Sequence, residues 1–196
     1  MAKFISLQAD ITIYNMNLIQ FQYFKTSFGE LILGEYEQKI CLCDWRYRKS
    51  RNQIDQRIMN FFKADFIEKP GSETEKLKLQ LEEYFCGNRK EFDLELVFAG
   101  SNFQQKIWNE LLNIEYGKTI SYLQLSEKTG DKNAVRAVAA ANGANAISIV
   151  VPCHRVIGSK GELTGYAGGL STKRKLLMLE KAEINFQPDL FSDLMQ

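Results

Sequence analysis

A cysteine followed directly by a histidine is the feature of this sequence best suited to chemistry. Cys153 and His154 lie between Pro152 and Arg155, and His154 is the only histidine in the chain. A neighbouring imidazole favours the thiolate, which is the nucleophilic form of cysteine. The pair therefore predicts a nucleophilic cysteine. An ordinary buried cysteine beside an unrelated histidine is the alternative.

The residues before this pair predict a rigid support for it. Four of the five residues 147–151 are apolar and β-branched, a composition typical of a buried strand. Pro152 has no N–H to donate, so it should end that strand. We therefore expect Cys153 on a turn at a strand end, a position where rigid elements often carry reactive groups.

Composition indicates a globular protein with one domain or two small ones. The chain has 196 residues, 45% of them hydrophobic, and a formal net charge of +1. No apolar run approaches the roughly 20 residues of a membrane span. The N-terminus lacks the basic and then apolar pattern of a secretory signal. We expect a cytoplasmic protein, and the surplus of 11 Lys or Arg over 7 Asp or Glu in residues 101–183 permits phosphate contact there.

The other cysteines predict neither a disulfide framework nor a metal site. Cys41 and Cys43 lack zinc-ligand spacing, and a single histidine cannot complete a zinc site with them. We expect Cys41 and Cys43 to point the same way from a strand into a core. Cys86, at a predicted helix end, is expected to be a small core residue.

The first half of the chain predicts a sheet followed by a helix. Residues 19–24 alternate apolar and polar, and two further apolar runs follow at hairpin spacing, which predicts an antiparallel meander within residues 17–47. Ser72 and Glu75 predict a capping box at the start of a helix that runs through Phe85 and closes at Gly87. Four apolar residues then alternate again: Phe92, Leu94, Leu96 and Phe98.

The second half, after Gly100, predicts a helical unit. Ser101 and Gln104 form a second capping box pattern. One apolar helix face follows, made of Phe103, Ile107, Trp108, Leu111 and Leu112. Residues 121–129 and 133–144 then predict two helices joined by a tight turn at Gly130, which is helix-turn-helix geometry.

The second helix of this pair carries almost no bulky side chains. Its small residues include Ala134, Ala137 and Ala140. Such a helix either packs tightly in a core or allows its backbone to approach another surface closely. Arg136 is its one long charged side chain, and a solvated surface residue is the alternative reading of Arg136.

Several longer motifs, taken together, resemble one protein family. They are Ser121-Tyr122, the run 133–138, Asn145, the run 149–158 and the run 165–170. In this combination the chain resembles the O6-alkylguanine-DNA alkyltransferases over roughly residues 17–184. The resemblance implies an α+β fold, with a ribonuclease-H-like α/β domain over 17–99 and a winged-helix-like helical domain with a helix-turn-helix over 100–183. Residues 1–16 would form an N-terminal extension and residues 184–196 a C-terminal tail.

The resemblance also implies catalytic roles. Cys153 would be the nucleophile, and His154 would draw its proton through a water molecule. Glu180, on a helix over residues 172–181, would orient His154. Tyr122 would crowd the 3′ phosphate and donate to N3 of the flipped guanine, and Arg136 would enter the base stack and fill the gap.

Further residues gain expected roles in binding. The resemblance implies that Ala134, Ala137 and Ala140 lie against DNA and that Asn145 braces the turn before the active site. The expected substrate pocket consists of Ser148, Val156, Tyr166, Ala167 and Gly168. Many relatives carry serine at Ala167 and proline at Ser148, and Ser148 is expected to make the pocket roomier or wetter.

The implied function is single-use repair of O6-alkylguanine in double-stranded DNA by a monomer that needs no cofactor. Activity on O4-alkylthymine is left open. A thiol hydrolase that uses Cys153, His154 and Glu180 is one alternative, although Arg136 would then have no task. A non-catalytic DNA-binding protein is the other, and the presence of Cys153 counts against it.

The C-terminal tail carries a short pattern of its own. Gln187 to Phe191 resembles the Gln-x-Asp-Leu-Phe peptides by which bacterial proteins dock on the replication sliding clamp. Gln187, Leu190 and Phe191 would enter an apolar groove of the clamp. The alternative is that Leu190 and Phe191 pack back on the protein.

Overall fold

The computed structural model describes residues 17–182. The predicted N-terminal extension and the predicted clamp-docking residues Gln187, Leu190 and Phe191 lie outside this range. Within residues 17–182, no helix has the length and apolar character needed to cross a membrane. The described chain is a mixed α+β structure.

The first half is a four-stranded sheet. Its strands are β1 (Leu18–Thr26), β2 (Gly29–Tyr36), β3 (Lys39–Trp45) and β4 (Asp65–Glu68), in the order β3-β2-β1-β4. The first three form the predicted antiparallel meander, and β4 pairs in parallel with β1. Helix α1 (Arg51–Phe62) makes the crossover to β4. It was not predicted, because α1 buries only Ile54 and Ile58 and so shows little apolar periodicity.

Because of a β-bulge, Cys41 and Cys43 of β3 pack in different apolar clusters. The pairing of β2 with β3 shifts between Gly34 and Glu35, which leaves Cys41 as an extra residue on β3. An extra residue breaks the alternation of side chains along a strand. Cys41 accordingly packs in one cluster and Cys43 in another. Both are buried, but the prediction that they point the same way is wrong.

Helix α2 (Ser72–Phe85) begins where predicted, but not with a capping box between Ser72 and Glu75. The hydroxyl of Thr74 accepts the N–H of the N-cap glycine at 2.9 Å. The carboxylate of Glu35, on β2, accepts the N–H of Thr74 at 2.7 Å. Glu35 of the sheet therefore caps the start of α2. Because Glu35 lies far from α2 in the sequence, no local pattern could predict this cap.

The end of α2 follows the prediction only in part. Gly87 has a φ of 76° and its N–H donates to the carbonyl of Tyr84, as expected of a closing glycine. Cys86 beside it is exposed, so the prediction of a core residue is wrong. It follows the last helical residue, Phe85, and its side chain does not lie on the buried face of the helix.

The alternating segment over residues 92–98 is extended but forms no full strand. The N–H of Ile40 on β3 donates to Glu95 at 2.8 Å, and the N–H of Val97 donates back to Ile40 at 3.0 Å. Ile40 and Leu96 form the single bridge. The alternation here reflects apolar side chains packed against the core rather than a ladder of hydrogen bonds.

The second half contains four helices and two short strands within the described range. They are α3 (Asn102–Leu112), α4 (Tyr122–Lys128), α5 (Val135–Gly143), α6 (Gly169–Leu179), β5 (Ile120–Ser121) and β6 (Val156–Ile157). The capping box of Ser101 with Gln104 is confirmed, with hydrogen bonds of 3.0 and 3.3 Å. Helices α4 and α5 flank a turn in which Gly130 has a φ of 93°, as predicted. The apolar face of α3 is narrower than predicted, because Phe103 and Leu112 remain exposed.

The apolar run over residues 147–151 is buried, as predicted, but it is a turn rather than a strand. Only Ile147 forms a bridge to β3, and the N–H of Val151 donates back to the carbonyl of Ile147 at 2.9 Å. Ile149 takes a φ of 73°, which lies outside the β region of backbone conformations. The amide of Asn145 donates to the Val151 carbonyl and accepts the N–H of Ile147, both at 2.9 Å, and so braces the turn.

One apolar cluster joins the two halves. It contains Leu33 of β2, Trp108 of α3, Val151 of the turn and Leu176 of α6, together with Cys153 itself. A shared core of this kind fixes the position of the turn relative to the sheet. The segment that carries Cys153 is therefore held from both halves of the chain.

Candidate active site

Cys153 opens a single 3-10 turn, Cys153–Arg155, directly after the buried reverse turn. Its N–H donates to the Val151 carbonyl at 2.8 Å, and only 4% of the residue is exposed. Burial raises the pKa of the Cys153 thiol above its ordinary value. The thiol is therefore protonated at neutral pH and needs a base to become a nucleophile.

His154 has the environment of such a base. Its Nε2 lies 2.8 Å from Oε1 of Glu180, and neither side chain is exposed. Burial lowers the pKa of His154, although Glu180 opposes that shift, so the ring is neutral. A carboxylate only accepts, so the ring proton lies on Nε2 and leaves Nδ1 as an acceptor. Nδ1 is buried without a hydrogen-bond partner among residues 17–182.

Glu180 is surrounded by donors. Arg155 donates from Nε at 2.9 Å and from Nη2 at 3.0 Å, the Tyr84 hydroxyl donates at 2.6 Å, and the Gly117 N–H donates at 3.2 Å. Burial alone would raise the pKa of Glu180, but the hydrogen bonds from His154 and Arg155, together with the charge of Arg155, hold it well below its ordinary value. The carboxylate stays ionised and can stabilise a positive charge that forms on His154. Glu180 follows the last residue of α6, close to its predicted place.

Helix α5 presents a smooth outer face with one long cation. Arg136, Ala137 and Ala140 are exposed, and Ala134 is the half-buried N-cap residue. The inner face is anchored by a hydrogen bond from the Trp108 indole to the carbonyl of Ala141, at 2.8 Å. The small side chains therefore do not serve core packing alone, since two of the three predicted alanines face outward.

A cavity of about 1050 Å³ lies between α5 and the sheet. The predicted site residues that line it are Tyr122, Arg136, Tyr166, Ala167 and Gly168. Cys153 and His154 are buried and do not line it. Asn142 joins the cavity to the nucleophile, since its Nδ2 lies 3.4 Å from the Tyr122 hydroxyl and 3.5 Å from the Cys153 carbonyl.

The far wall of the cavity is aromatic and tightly packed. The rings of Tyr166 and Trp45 meet edge to face at 6.0 Å, and Tyr166 meets the ring of His154 at 6.3 Å. Burial raises the pKa of Tyr166 well above its ordinary value. A Cβ on Gly168 would come within 2.6 Å of the Trp45 ring, so this close approach requires glycine.

Sequence comparison assigns this chain to a family. The model named "6-O-methylguanine DNA methyltransferase, DNA binding domain" matches residues 102–182. The methylated-DNA–protein-cysteine methyltransferase of Methanosarcina barkeri is 40% identical over 157 residues, which are 80% of this chain and 94% of that protein. The chain belongs to the methylated-DNA–protein-cysteine methyltransferase family. The constitutive Bacillus subtilis member is likewise 40% identical, over 83% of this chain and 94% of its own length.

The family has solved structures that resemble this chain. The crystal structure of Mycobacterium tuberculosis OGT in complex with DNA has a TM-score of 0.72 and 39% identity, and the match covers 83% of this chain and 92% of that one. The crystal structure of Mycobacterium tuberculosis O6-methylguanine methyltransferase has a TM-score of 0.70 and 38% identity, and the match covers 83% of this chain and 93% of that one. The α+β arrangement of this methyltransferase is therefore that of its relatives.

Two residues predicted to line the substrate pocket, Ser148 and Val156, are instead buried and hydrogen-bonded to other parts of the protein. Ser148 is fully buried, and its hydroxyl donates to Oδ1 of Asp44 at 3.2 Å, so it does not line the cavity. The reverse turn points it toward the sheet. Val156 is also fully buried, and its carbonyl accepts from Lys173 at 2.6 Å.

Four residues around the site had no predicted role in the sequence analysis: Tyr84, Asn142, Arg155 and Lys173. Arg155 and Tyr84 contact Glu180 from segments far from it in sequence. Burial lowers the pKa of Lys173 to about 8. Its ammonium group donates hydrogen bonds to the carbonyls of Val156 and Thr164. Arg155 lies next to His154, within one of the motifs that carry the family resemblance.

Proposed function

We propose that this methyltransferase repairs O6-alkylguanine in double-stranded DNA by moving the alkyl group irreversibly to Cys153 after the damaged nucleotide rotates out of the duplex. One observation carries the proposal. A buried cysteine lies beside a buried His154–Glu180 pair, next to a cavity lined by Tyr122 and Arg136. The complex of Mycobacterium tuberculosis OGT with DNA, in a relative of the same fold, supports DNA as the partner.

Rotation of the nucleotide follows from the burial of Cys153. A thiol that is 4% exposed cannot reach an alkyl carbon on a base that is still stacked in a duplex. The exposed alanines of α5 allow close approach to the minor groove, where the negative potential attracts Arg136. Arg136 would fill the gap left in the base stack.

The chemistry is an in-line displacement. His154 takes the thiol proton of Cys153 at Nδ1 through a water molecule, and Glu180 stabilises the imidazolium that forms. The sulfur–carbon bond forms while the carbon–O6 bond breaks, and the electron pair stays on guanine. Tyr122 donates a hydrogen bond to N3 and so stabilises that charge. Over the whole reaction the thiol proton passes to the guanine.

The product determines that each molecule acts once. The alkylated cysteine is a thioether, which offers no good leaving group for water to displace, so Cys153 is not regenerated. The same displacement on O4-alkylthymine is chemically equivalent and forms part of the proposal. No step needs a cofactor.

The two halves have separate tasks in this proposal. Residues 17–99 form a ribonuclease-H-like α/β domain, and residues 100–183 form a winged-helix-like domain in which α4 and α5 are the helix-turn-helix. The protein acts as a monomer in the cytoplasm. The shared core explains how the first domain supports the second.

Mass spectrometry tests the reaction. After incubation with a duplex that contains O6-methylguanine, the intact protein should gain one methyl group, and the peptide with Cys153 should carry it. Cys153→Ala should gain none. A methyl group on Cys86, the exposed cysteine of the described chain, would show that Cys153 is not the acceptor.

The tail pattern is a separate proposal about partners. Gln187, Leu190 and Phe191 bind the apolar groove of a sliding clamp, which would raise the local concentration of repair protein near replicating DNA. A peptide of residues 184–196 should bind the clamp, and a Leu190→Ala/Phe191→Ala peptide should not. Binding that is indifferent to this double change would refute the proposal and favour a tail that packs on the protein.

A further inference from the structure

The cavity beside α5 has a second wall that comes from the first half of the chain. On one side it is lined by Arg136 and Ala139 of α5. On the other it is lined by the loop between β3 and α1, through Tyr47, Arg48 and Lys49. The surface assigned above to DNA therefore continues onto this loop, which the sequence analysis gave no role.

The loop is fixed to the end of α5. The Arg48 guanidinium donates to the carbonyls of Gly143 at 2.7 Å and Asn145 at 3.0 Å. It also pairs with Asp44 at 2.6 Å, and both partners are buried. A cation at a helix C-terminus is favourable, and this one holds loop and helix together. Whatever binds the outer face of α5 therefore meets the loop at a fixed position.

The exposed side chains of the loop suit a polyanion. Tyr47 is 78% exposed, with the Arg46 guanidinium 5.3 Å from its ring centre. Lys49 is exposed and has no ion-pair partner among residues 17–182. Glu30, the acidic residue that lines the same cavity, is already paired with Arg46 at 2.8 Å.

We propose that this loop is a second DNA-contacting surface, in which Lys49 binds a backbone phosphate of the duplex held by α5 and the exposed face of Tyr47 packs beside it. The inference rests on the proposed repair of duplex DNA. Continuity with the α5 face and the unpaired positive charge of Lys49 select the phosphate backbone as the ligand. Contacts of this kind add affinity without reading base sequence.

The test is equilibrium binding of the full chain over a series of salt concentrations. The probes are a duplex that contains O6-methylguanine and the same duplex without damage, both in a Cys153→Ser background so that no transfer occurs. Lys49→Gln should weaken binding to both duplexes by the same factor and lower the slope of log affinity against log salt by about 1. Tyr47→Ala should weaken binding to both, and Tyr47→Phe should restore it.

The matched control is Lys69→Gln, which removes the same charge just after β4, at the sheet edge opposite β3. It should change neither affinity nor slope. A Lys49→Gln variant that unfolds at the same temperature as the parent and matches Lys69→Gln in both readouts would overturn the proposal. If the loop proposal alone fails, the chain with Cys153 intact will still bind the damaged duplex and become methylated at Cys153. If the repair function fails, the chain with Cys153 intact will do neither.

Discussion

Arg155 places its guanidinium against both carboxylate oxygens of Glu180, with Nε 2.9 Å from Oε2 and Nη2 3.0 Å from Oε1. The same carboxylate accepts from His154, so Arg155 acts on the base through Glu180. The arginine keeps Glu180 ionised and fixed in orientation. This arrangement makes a neutral histidine, buried beside a buried thiol, able to accept a proton.

Loss of Arg155 should damage stability far more than loss of an exposed arginine. Arg155→Leu leaves Glu180 buried with its main cation gone, which should lower the free energy of unfolding by roughly 3–5 kcal/mol. Arg89→Leu breaks the half-exposed pair with Glu83 and should cost only about 0–1 kcal/mol. Urea denaturation of both variants measures the difference. Equal losses in the free energy of unfolding would mean that the buried Arg155–Glu180 pair stabilises the fold no more than the exposed pair does.

The low pKa of His154 predicts a particular dependence of stability and rate on pH. Its folded pKa lies below the ordinary value of 6.5, so the unfolded chain binds more protons between the two values. The stability that this residue contributes is therefore present above pH 6.5 and lost as pH falls through the lower folded pKa.

The rate should follow the same titration, because only the neutral ring accepts a proton. The rate of transfer from a free O6-alkylguanine base should fall to half of its plateau value only below pH 6.5. The rate constant of methyl gain, measured across this pH range, checks the expectation. A midpoint at or above 6.5 would contradict the neutral, buried state of His154.

Gly168→Ala should disturb the cavity wall. The new Cβ would lie 2.6 Å from the Trp45 ring, and relief of that clash should cost about 1–3 kcal/mol and shift Tyr166, which packs on Trp45. Gly165→Ala is the matched control, because a Cβ there meets nothing within 4 Å. The unfolding temperature and the rate constant on free alkylguanine should both fall for Gly168→Ala and stay unchanged for Gly165→Ala. Similar unfolding temperatures and rates for the two variants would show that the Trp45 ring can move aside at little cost.

Arg136 and Tyr122 should separate two parts of the reaction. Arg136→Ala should slow repair in duplexes much more than reaction with a free alkylguanine base, because an arginine that fills the base stack has no role in the displacement. Tyr122→Phe should slow both, since the hydrogen bond to N3 is lost in each case. Rate constants on the two substrates give the comparison. Equal losses for Arg136→Ala on both would make it a structural residue.

Local signals predicted the elements whose stability is local. The meander, the Ser101–Gln104 cap and the two helices joined by the turn at Gly130 are confirmed, because alternation, capping and turn residues act within a few positions of the chain. The predicted strand over residues 147–151 failed because Asn145 folds that run back on itself through two side-chain hydrogen bonds. An apolar, β-branched run indicates burial but not the direction of the backbone.

Long-range contacts account for most of what was missed at the site. Motif resemblance named Cys153, His154 and Glu180, and the structure brings His154 and Glu180 into contact. Tyr84 lies 96 positions from Glu180, and no periodicity or spacing could have paired them. Ser148 donates to Asp44 on β3, which is 104 positions away. Because the sequence gives no sign of this contact, Ser148 was predicted to line the pocket.

The stoichiometry of methyl transfer tests the central claim most directly. The full chain is mixed with a large molar excess of duplex that contains O6-methylguanine, and both repaired guanine and protein-bound methyl are counted until the reaction stops. The account predicts one repaired lesion and one methyl group on Cys153 for each protein molecule, with no further repair on longer incubation. Continued repair beyond that ratio, with free thiol recovered at Cys153, would contradict it.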